Sequence, residues 1–327
     1  MTSTPLLPNE AALPARDQLT AAAHRIVANV EQVVHGRSRA VELIACALLS
    51  GGHALVEDVP GSGKTTLARA FARSLGGTFH RIQATADLLP SDITGSGIWE
   101  PEQHAFRFVP GPLFGHVVLV DELNRTPPRT QSAFLEAMDE NAVTVDGVRH
   151  RLPDPFFVIA TQNPFEQHGT YPLPEGQLDR FTVRVSFPEL DLATERLVVR
   201  EQLVRATVDD LTAVIDPGTL LLLRAAVRTT HVADSVLDHA LGIVRASRAE
   251  PRVRLGASSR AALALVRCAQ ARALLQGRDY VVPDDTKAVA GPVLGHRLIL
   301  DDGSTLGARA DEAIAELMAR VPVPMHG

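Results

Sequence analysis

The residues best suited to chemistry lie in Asp58-Val59-Pro60-Gly61-Ser62-Gly63-Lys64-Thr65-Thr66, directly after the apolar run Ala54-Leu55-Val56. The spacing G-x-x-x-x-G-K-[ST] describes a loop whose backbone N–H groups close around phosphates, with a lysine for the β- and γ-phosphates and a hydroxyl for Mg²⁺. Gly61, Gly63, Lys64 and Thr65 supply those parts, and Pro60, Ser62 and Thr66 complete the expected nucleotide contact. Glycine is needed because a Cβ would hold the backbone off the phosphate and forbid the positive φ angles that turn successive N–H groups inward. A helix opening at Lys64 would add its positive dipole end. Asp58 replaces the first glycine of the pattern, and its short polar side chain also tolerates left-handed backbone. An ordinary strand-to-helix turn uses glycines too, but the chain has only two lysines, Lys64 and Lys287, and one falls where phosphate chemistry demands it.

A second group follows the continuous apolar run His116–Val120, the pattern of a strand buried on both faces of a parallel sheet. Ligands of open α/β sheets bind beyond the carboxyl ends of the strands, so Asp121 and Glu122 fall where a nucleotide would be. Asp121 is expected to hold Mg²⁺ together with Thr65, and Glu122 to orient and polarise the attacking water. Helix capping by Asp121 is the bland alternative, outweighed once the acids are paired with the phosphate loop. The next buried strand, Phe156–Thr161, ends at Gln162-Asn163-Pro164. Asn163 reads as a polar sensor between the γ-phosphate and the water, although Asn-Pro is also a common turn. Arg180, in Leu178-Asp179-Arg180-Phe181, either serves the end of a short helix or enters a neighbouring subunit's nucleotide as an arginine finger. Arg260 stands in a first helical turn against the macrodipole, which makes an anionic phosphate a reasonable partner, while an exposed arginine there costs only about a few tenths of a kcal/mol.

These groups need a scaffold of alternating strands and helices. Residues 1–17 lack periodicity and read as a flexible arm. Helical patterns run from Gln18 and over Ser38–Leu49, and Gly76-Gly77 closes the helix after the phosphate loop. Two hairpins are expected. Gly97–Glu100 and Ala105–Phe108 make one that carries the only tryptophan, Trp99, as scaffold or partner contact; Ala142–Val145 and Val148–Arg151 make the other, joined by Asp146-Gly147, which suits a type I′ turn. Beyond about residue 190 the pattern turns helical, with Val232, Val236, Ala240, Ile243, Val244 and Ser247 on one face and another helix over Ala261–Leu275. The expected organisation is an αβα nucleotide-binding domain with a central parallel sheet over 18–190, followed by an all-helical lid over 191–327.

Composition narrows the function. At 327 residues, 45% hydrophobic and 21% charged, the chain is an ordinary globular protein of about two domains. No apolar run approaches the roughly 18 residues that span a bilayer, and the start lacks a secretion signal, so a cytoplasmic location is expected. Cys46 and Cys268 sit far apart in helical patterns, and the twelve histidines show no metal-ligand spacing. A net charge of −6 argues against a protein built mainly to grip nucleic acid.

Taken in order, Pro60 to Thr65, Asp121-Glu122, Asn163, Arg180 and Arg260 resemble an AAA+ ATPase over nearly the whole chain. Leu88-Leu89-Pro90-Ser91-Asp92-Ile93-Thr94-Gly95, Asp121-Glu122-Leu123-Asn124-Arg125, Ala160-Thr161-Gln162-Asn163-Pro164 and Gly169-Thr170-Tyr171-Pro172-Leu173-Pro174-Glu175 are similar to the MoxR family within it. The resemblance implies an ATPase using ATP and Mg²⁺, a helical lid, two hairpin inserts and a ring, usually a hexamer. It also implies a chaperone-like task, often with a von Willebrand factor A domain partner, in maturing client protein complexes or inserting metal cofactors. By the same resemblance Lys64 and Thr65 are Walker A contacts, Asp121 and Glu122 Walker B, Asn163 sensor 1, Arg180 the finger and Arg260 sensor 2, with Arg125 acting across the subunit interface. Asp58 and Val282, where a capping Thr or Ser is more usual before Pro283, depart from the family pattern. Two other readings are a nucleotide-gated scaffold with little hydrolysis, which an intact Glu122 disfavours, and a DNA-directed motor, which the acidic balance and 4% aromatic content disfavour.

Overall fold

The structure, a computed structural model, describes residues 13–57, 61–163, 169–187, 189–204, 208–301 and 308–323. Asp58, Pro60 and Pro164 lie outside the described residues.

Helix α1 (Arg16–Glu31) buries Leu19, Ala22, Ala23, Ile26 and Val30, one apolar stripe. It starts inside the stretch expected as an arm, and Arg16 is the reason. Its guanidinium donates to Thr230 Oγ1 at 3.0 Å, to Ala226 O at 3.3 Å and to Arg278 O, which fastens the helix start to the second half of the chain. Helix α2 (Ser38–Ser50) leads to β1 (Ala54–Glu57), the phosphate loop and α3 (Lys64–Ser74). Strand β2 (Phe79–Gln83) and the short α4 (Pro90–Thr94) precede a hairpin of β3 (Gly95–Glu100) and β4 (Ala105–Pro110). Then come β5 (Val117–Asp121), α5 (Pro128–Glu140), a second hairpin of β6 (Ala142–Val145) and β7 (Val148–Arg151), β8 (Phe157–Gln162), α6 (Glu175–Leu178) and β9 (Val183–Ser186).

Five strands form a parallel sheet in the order β2-β5-β8-β1-β9. Successive side chains alternate between two cores, as a pleated strand requires. Ala54, Val56, Leu119, Ile159 and Val183 join the core under α1 to α3, whereas Leu55, Val118, Val120, Val158 and Ala160 join the core under α5. Both expected hairpins form. Asp146 and Gly147 have φ of +51° and +77°, the positive pair that a type I′ turn needs. Phe108 of the first hairpin stacks on His150 of the second with ring centroids 3.8 Å apart, while Trp99 meets Phe106 edge-on and both stay exposed.

The later half contains α7 (Leu192–Val204), α8 (Pro217–Thr229), α9 (Asp234–Ala249), α10 (Ser259–Leu275), α11 (Pro283–Leu294) and α12 (Ala308–Arg320). It also contains an antiparallel ribbon of β10 (Val253–Leu255) and β11 (Ile299–Leu300), which periodicity could not reveal in segments this short. At the start of α11 Val282 offers no side-chain cap, but the carboxylate of Asp285 makes the other half of a capping box, accepting the Val282 N–H at 3.0 Å. Arg272 and Arg278 both pair with that carboxylate, and although burial works the other way they hold it below the ordinary range. Among the described residues no helix is long and apolar enough to cross a membrane.

His53 joins α5 to the sheet and gives the fold a pH dependence. Its Nδ1 accepts the Val158 N–H at 3.0 Å and its Nε2 donates to Met138 O at 3.1 Å, so the neutral ring is satisfied at both ends. A second ring proton would face an N–H donor. Burial first, and the field of Arg224 after it, push the ring from 6.5 down to about 4, against the bond to Met138. Above pH 6.5 the ring is neutral whether the chain is folded or unfolded; below it the unfolded chain takes up a proton that the folded chain refuses. Stability should therefore fall by about 3 kcal/mol between pH 6.5 and 4 from this residue. Denaturant melts of wild type and His53→Gln across that range check it, with the slope expected to flatten in the variant.

Candidate nucleotide site

The carboxyl edge of the sheet gathers the groups expected to handle phosphate. From β1 the chain enters the loop, in which Gly61 and Gly63 have φ of +83° and +95° and open space where a Cβ would stand. Lys64, Thr65 and Thr66 form the first turn of α3 and are half-buried. The Ser62 hydroxyl is buried with no hydrogen-bond partner among the described residues. An orphaned buried hydroxyl is costly unless a ligand satisfies it, and a phosphate oxygen is an acceptor that would do so.

Asp121 ends β5. Its Oδ2 accepts from Arg81 Nε at 2.7 Å, and its Oδ1 is 3.5 Å from the Thr161 hydroxyl. Arg81 was not foreseen; it sits on β2 beside Leu119 in register, two residues from the strand end, and only the β2–β5 pairing brings it to Asp121. Among the described residues no cluster of three metal-ligating side chains occurs. Mg²⁺ is usually held by one or two carboxylates plus substrate phosphates. Oδ1 of Asp121 and the Thr65 hydroxyl are the donors this chain offers.

Glu122 adopts a left-handed conformation, φ +60° and ψ +48°, where a residue other than glycine is uncommon. Its N–H donates to Thr161 Oγ1 at 2.9 Å, and its carboxylate takes Arg125 Nε at 3.0 Å and Gln83 Nε2 at 3.4 Å. Strain of this kind gathers at functional sites. Arg125, expected to work across an interface, thus pairs within its own chain, one 3₁₀ turn after Glu122. Asn163 directly follows β8, which lies between β5 and β1. Strand order therefore sets Asn163 between the acid pair and the phosphate loop.

Two further features escaped sequence reasoning. Glu57, the last residue of β1, is buried and accepts from Gln162 and from Arg184 Nη1 at 3.3 Å, which anchors the start of the loop to both neighbouring strands. An acid at the end of an otherwise apolar strand was the available signal. Nearby, a cavity of about 370 Å³ is lined by Gly36, Arg37, Leu43, Val185, Ser186 and Pro292, among others. Ser186 is in register with Glu57, so this cavity adjoins the end of β1 from which the phosphate loop departs. Its size falls within the range of small-ligand pockets.

Arg180 and Arg260 lie elsewhere. Thr182 N–H donates to His53 O at 2.8 Å, and His53 bonds Met138, so Met138 to Asp139 and Arg180 to Thr182 surround the amino end of β1. Both arginines converge on Asp139: Arg260 Nη2 lies 2.9 Å from its Oδ1, and Arg180 pairs with its other oxygen. Within the chain, the acid that meets Arg260 in this first helical turn is Asp139. Strand β1 alone separates this edge from the phosphate loop by about 13 Å, at roughly 3.3 Å per residue. Burial first, then the charge of Arg260, lower the affinity of Arg180 for its proton, and its Nε is buried without a partner among the described residues. One carboxylate for two guanidinium groups leaves this trio with a net positive charge.

A phosphate cradle on one edge of a parallel sheet, paired arginines on the other and a mainly helical lid define an ATPase domain of the AAA class. The comparisons agree. Residues 53–183 match the model of the "ATPase family associated with various cellular activities (AAA)", and residues 245–317 match the AAA lid domain. The chain is 44% identical to the uncharacterized protein YeaC of Bacillus subtilis, covering 92% of this chain and 95% of that protein. It is 38% identical to Chaperone MoxR1 of Mycobacterium tuberculosis, covering 90% and 79%, and 32% identical to Protein MoxR of Methylorubrum extorquens, covering 86% and 88%. A solved structure from Cytophaga hutchinsonii superposes with a TM-score of 0.86 at 34% identity, over 95% of this chain and 97% of that one. The chain belongs to the MoxR family of AAA+ ATPases.

Proposed function

We infer that this protein hydrolyses ATP to ADP and phosphate and couples the cycle to remodelling a partner protein complex. The observation that carries the reading is the sheet's carboxyl edge, which holds both a glycine-rich loop with an orphaned Ser62 hydroxyl and, two strands away, Asp121 and a strained Glu122. Lys64 and the loop N–H groups bind the phosphates, and Thr65 with Asp121 would hold Mg²⁺. When bound, that ion neutralises charge that builds on the γ-phosphate. Glu122 takes the proton of the attacking water, and Asn163 orients that water against the γ-phosphate. Arg180 and Arg260, at the far edge of the sheet, serve the nucleotide of the next subunit, which implies a closed ring, as in a hexamer. The cavity beside Arg37, Val185 and Pro292 takes the base.

The client is a protein complex that matures through this cycle, with a von Willebrand factor A domain protein as adaptor and metal insertion as one such maturation. ATP supply places the work in the cytoplasm. The test is nucleotide binding and phosphate release by wild type and Lys64→Ala. Loss of a charge-assisted contact worth about 1.5–3 kcal/mol should weaken ATP binding roughly 10- to 100-fold. Equal affinity in the two proteins would sink the assignment.

A further inference from the structure

The segment that carries Arg180 is held by the lid, through Arg297. Helix α11 ends in a 3₁₀ turn, Gly295–Arg297, whose last residue is buried. A guanidinium has five N–H donors, and here every one is committed. Nε donates to Asp179 Oδ1 at 2.7 Å, Nη2 to Asp179 O at 3.1 Å and Phe181 O at 2.8 Å, and Nη1 to Thr182 O at 3.3 Å and to Val293 O. Four of the five bonds thus grip residues 179–182. The fifth ties the group back to α11. His296 Nε2 adds another, to Phe181 O at 2.8 Å.

The same helix reaches the other edge of the sheet. Gly291 and Pro292 of α11 line the cavity beside Val185 and Ser186, and Arg297 begins its grip a turn further on. The lid also contributes Arg260, on Asp139 beside Arg180. Arg180 is therefore bracketed by core and lid, and the backbone on both sides of it is held by the turn that ends a helix bordering the cavity assigned to the base.

We propose that Arg297 is a positioning residue that fixes Arg180 for the neighbouring subunit's site, so that the lid of one subunit sets the catalytic competence of the next. This rests on the reading above, in which Arg180 acts on the neighbour's nucleotide. A guanidinium displaced by about 1 Å from its productive place can lose 100-fold in rate.

The test uses the full chain with Arg297→Met and, as a charge-retaining second variant, Arg297→Lys. Each is assayed for binding of a fluorescent ATP analogue and for phosphate release, alone and mixed with Glu122→Gln subunits, which carry an intact Arg180 but a disabled base. The expected result for Arg297→Met is binding within about 2-fold of wild type, turnover lowered by about 100-fold, and turnover recovered in the mixture. Recovery distinguishes the proposal from a role in folding, because the added subunits cannot hydrolyse at their own sites. A parallel mixture of Arg180→Ala with Glu122→Gln subunits is the control. Recovery in the control without recovery for either Arg297 variant overturns the proposal, as does loss of nucleotide binding together with turnover in both variants. No recovery in the control itself would instead count against the action of Arg180 on a neighbour.

Discussion

Arg180→Ala is expected to bind ATP as wild type does and to lose about 10³- to 10⁵-fold in turnover, roughly 4–7 kcal/mol of barrier, the contribution of arginine fingers in comparable enzymes. The binding half of this prediction follows from placement. Arg180 stands at the amino end of β1, whereas the phosphate loop leaves the carboxyl end, so removing the guanidinium subtracts nothing from the chain's own pocket. The turnover half follows from electrostatics. The cluster with Arg260 and Asp139 has an excess of positive charge and a buried donor without a partner, which an incoming γ-phosphate would satisfy. Steady-state phosphate release at saturating ATP measures it. An unchanged rate would remove Arg180 from the reaction.

Glu122→Gln should also retain ATP, with turnover reduced by about 10²- to 10⁴-fold, the usual worth of a general base. Glutamine keeps the size of the side chain and can still reach Gln83, but it cannot accept a proton and loses the charge that pairs with Arg125. The backbone at this position is already strained and braced by Thr161, so the amide should occupy the place of the carboxylate. Comparing the two proteins also separates an engine from a nucleotide-gated scaffold, since a scaffold would show the same negligible rate before and after the change. Sensitivity of either rate to added DNA would revive the DNA-directed reading.

Much of this architecture was legible in the chain because its signals are local. The phosphate loop needs its glycines, lysine and hydroxyl within a few residues. The buried strands before Asp121 and Asn163 announce themselves as uninterrupted apolar runs. Asp146-Gly147 named its turn type, and both φ values came out positive. What stayed hidden were short or long-range features: the β10–β11 ribbon, whose strands are too brief for periodicity, the Arg81–Asp121 pair, which exists only through strand pairing, and the anchorage of Arg16 by acceptors more than two hundred positions away.

Residue types and spacing by themselves determined that this protein carries a glycine-rich loop with the pattern of a phosphate site and an acid pair at a strand end, because such patterns are written in consecutive backbone and side-chain positions. Only the tertiary structure decided on which edge of the sheet each arginine would lie. Arg180 and Arg260 are 80 positions apart, and nothing in the local sequence of either says that Asp139 will hold both, away from the glycine-rich loop. That choice was made by the packing of α5, the lid and the amino end of β1 around His53, a contact among elements distant in sequence.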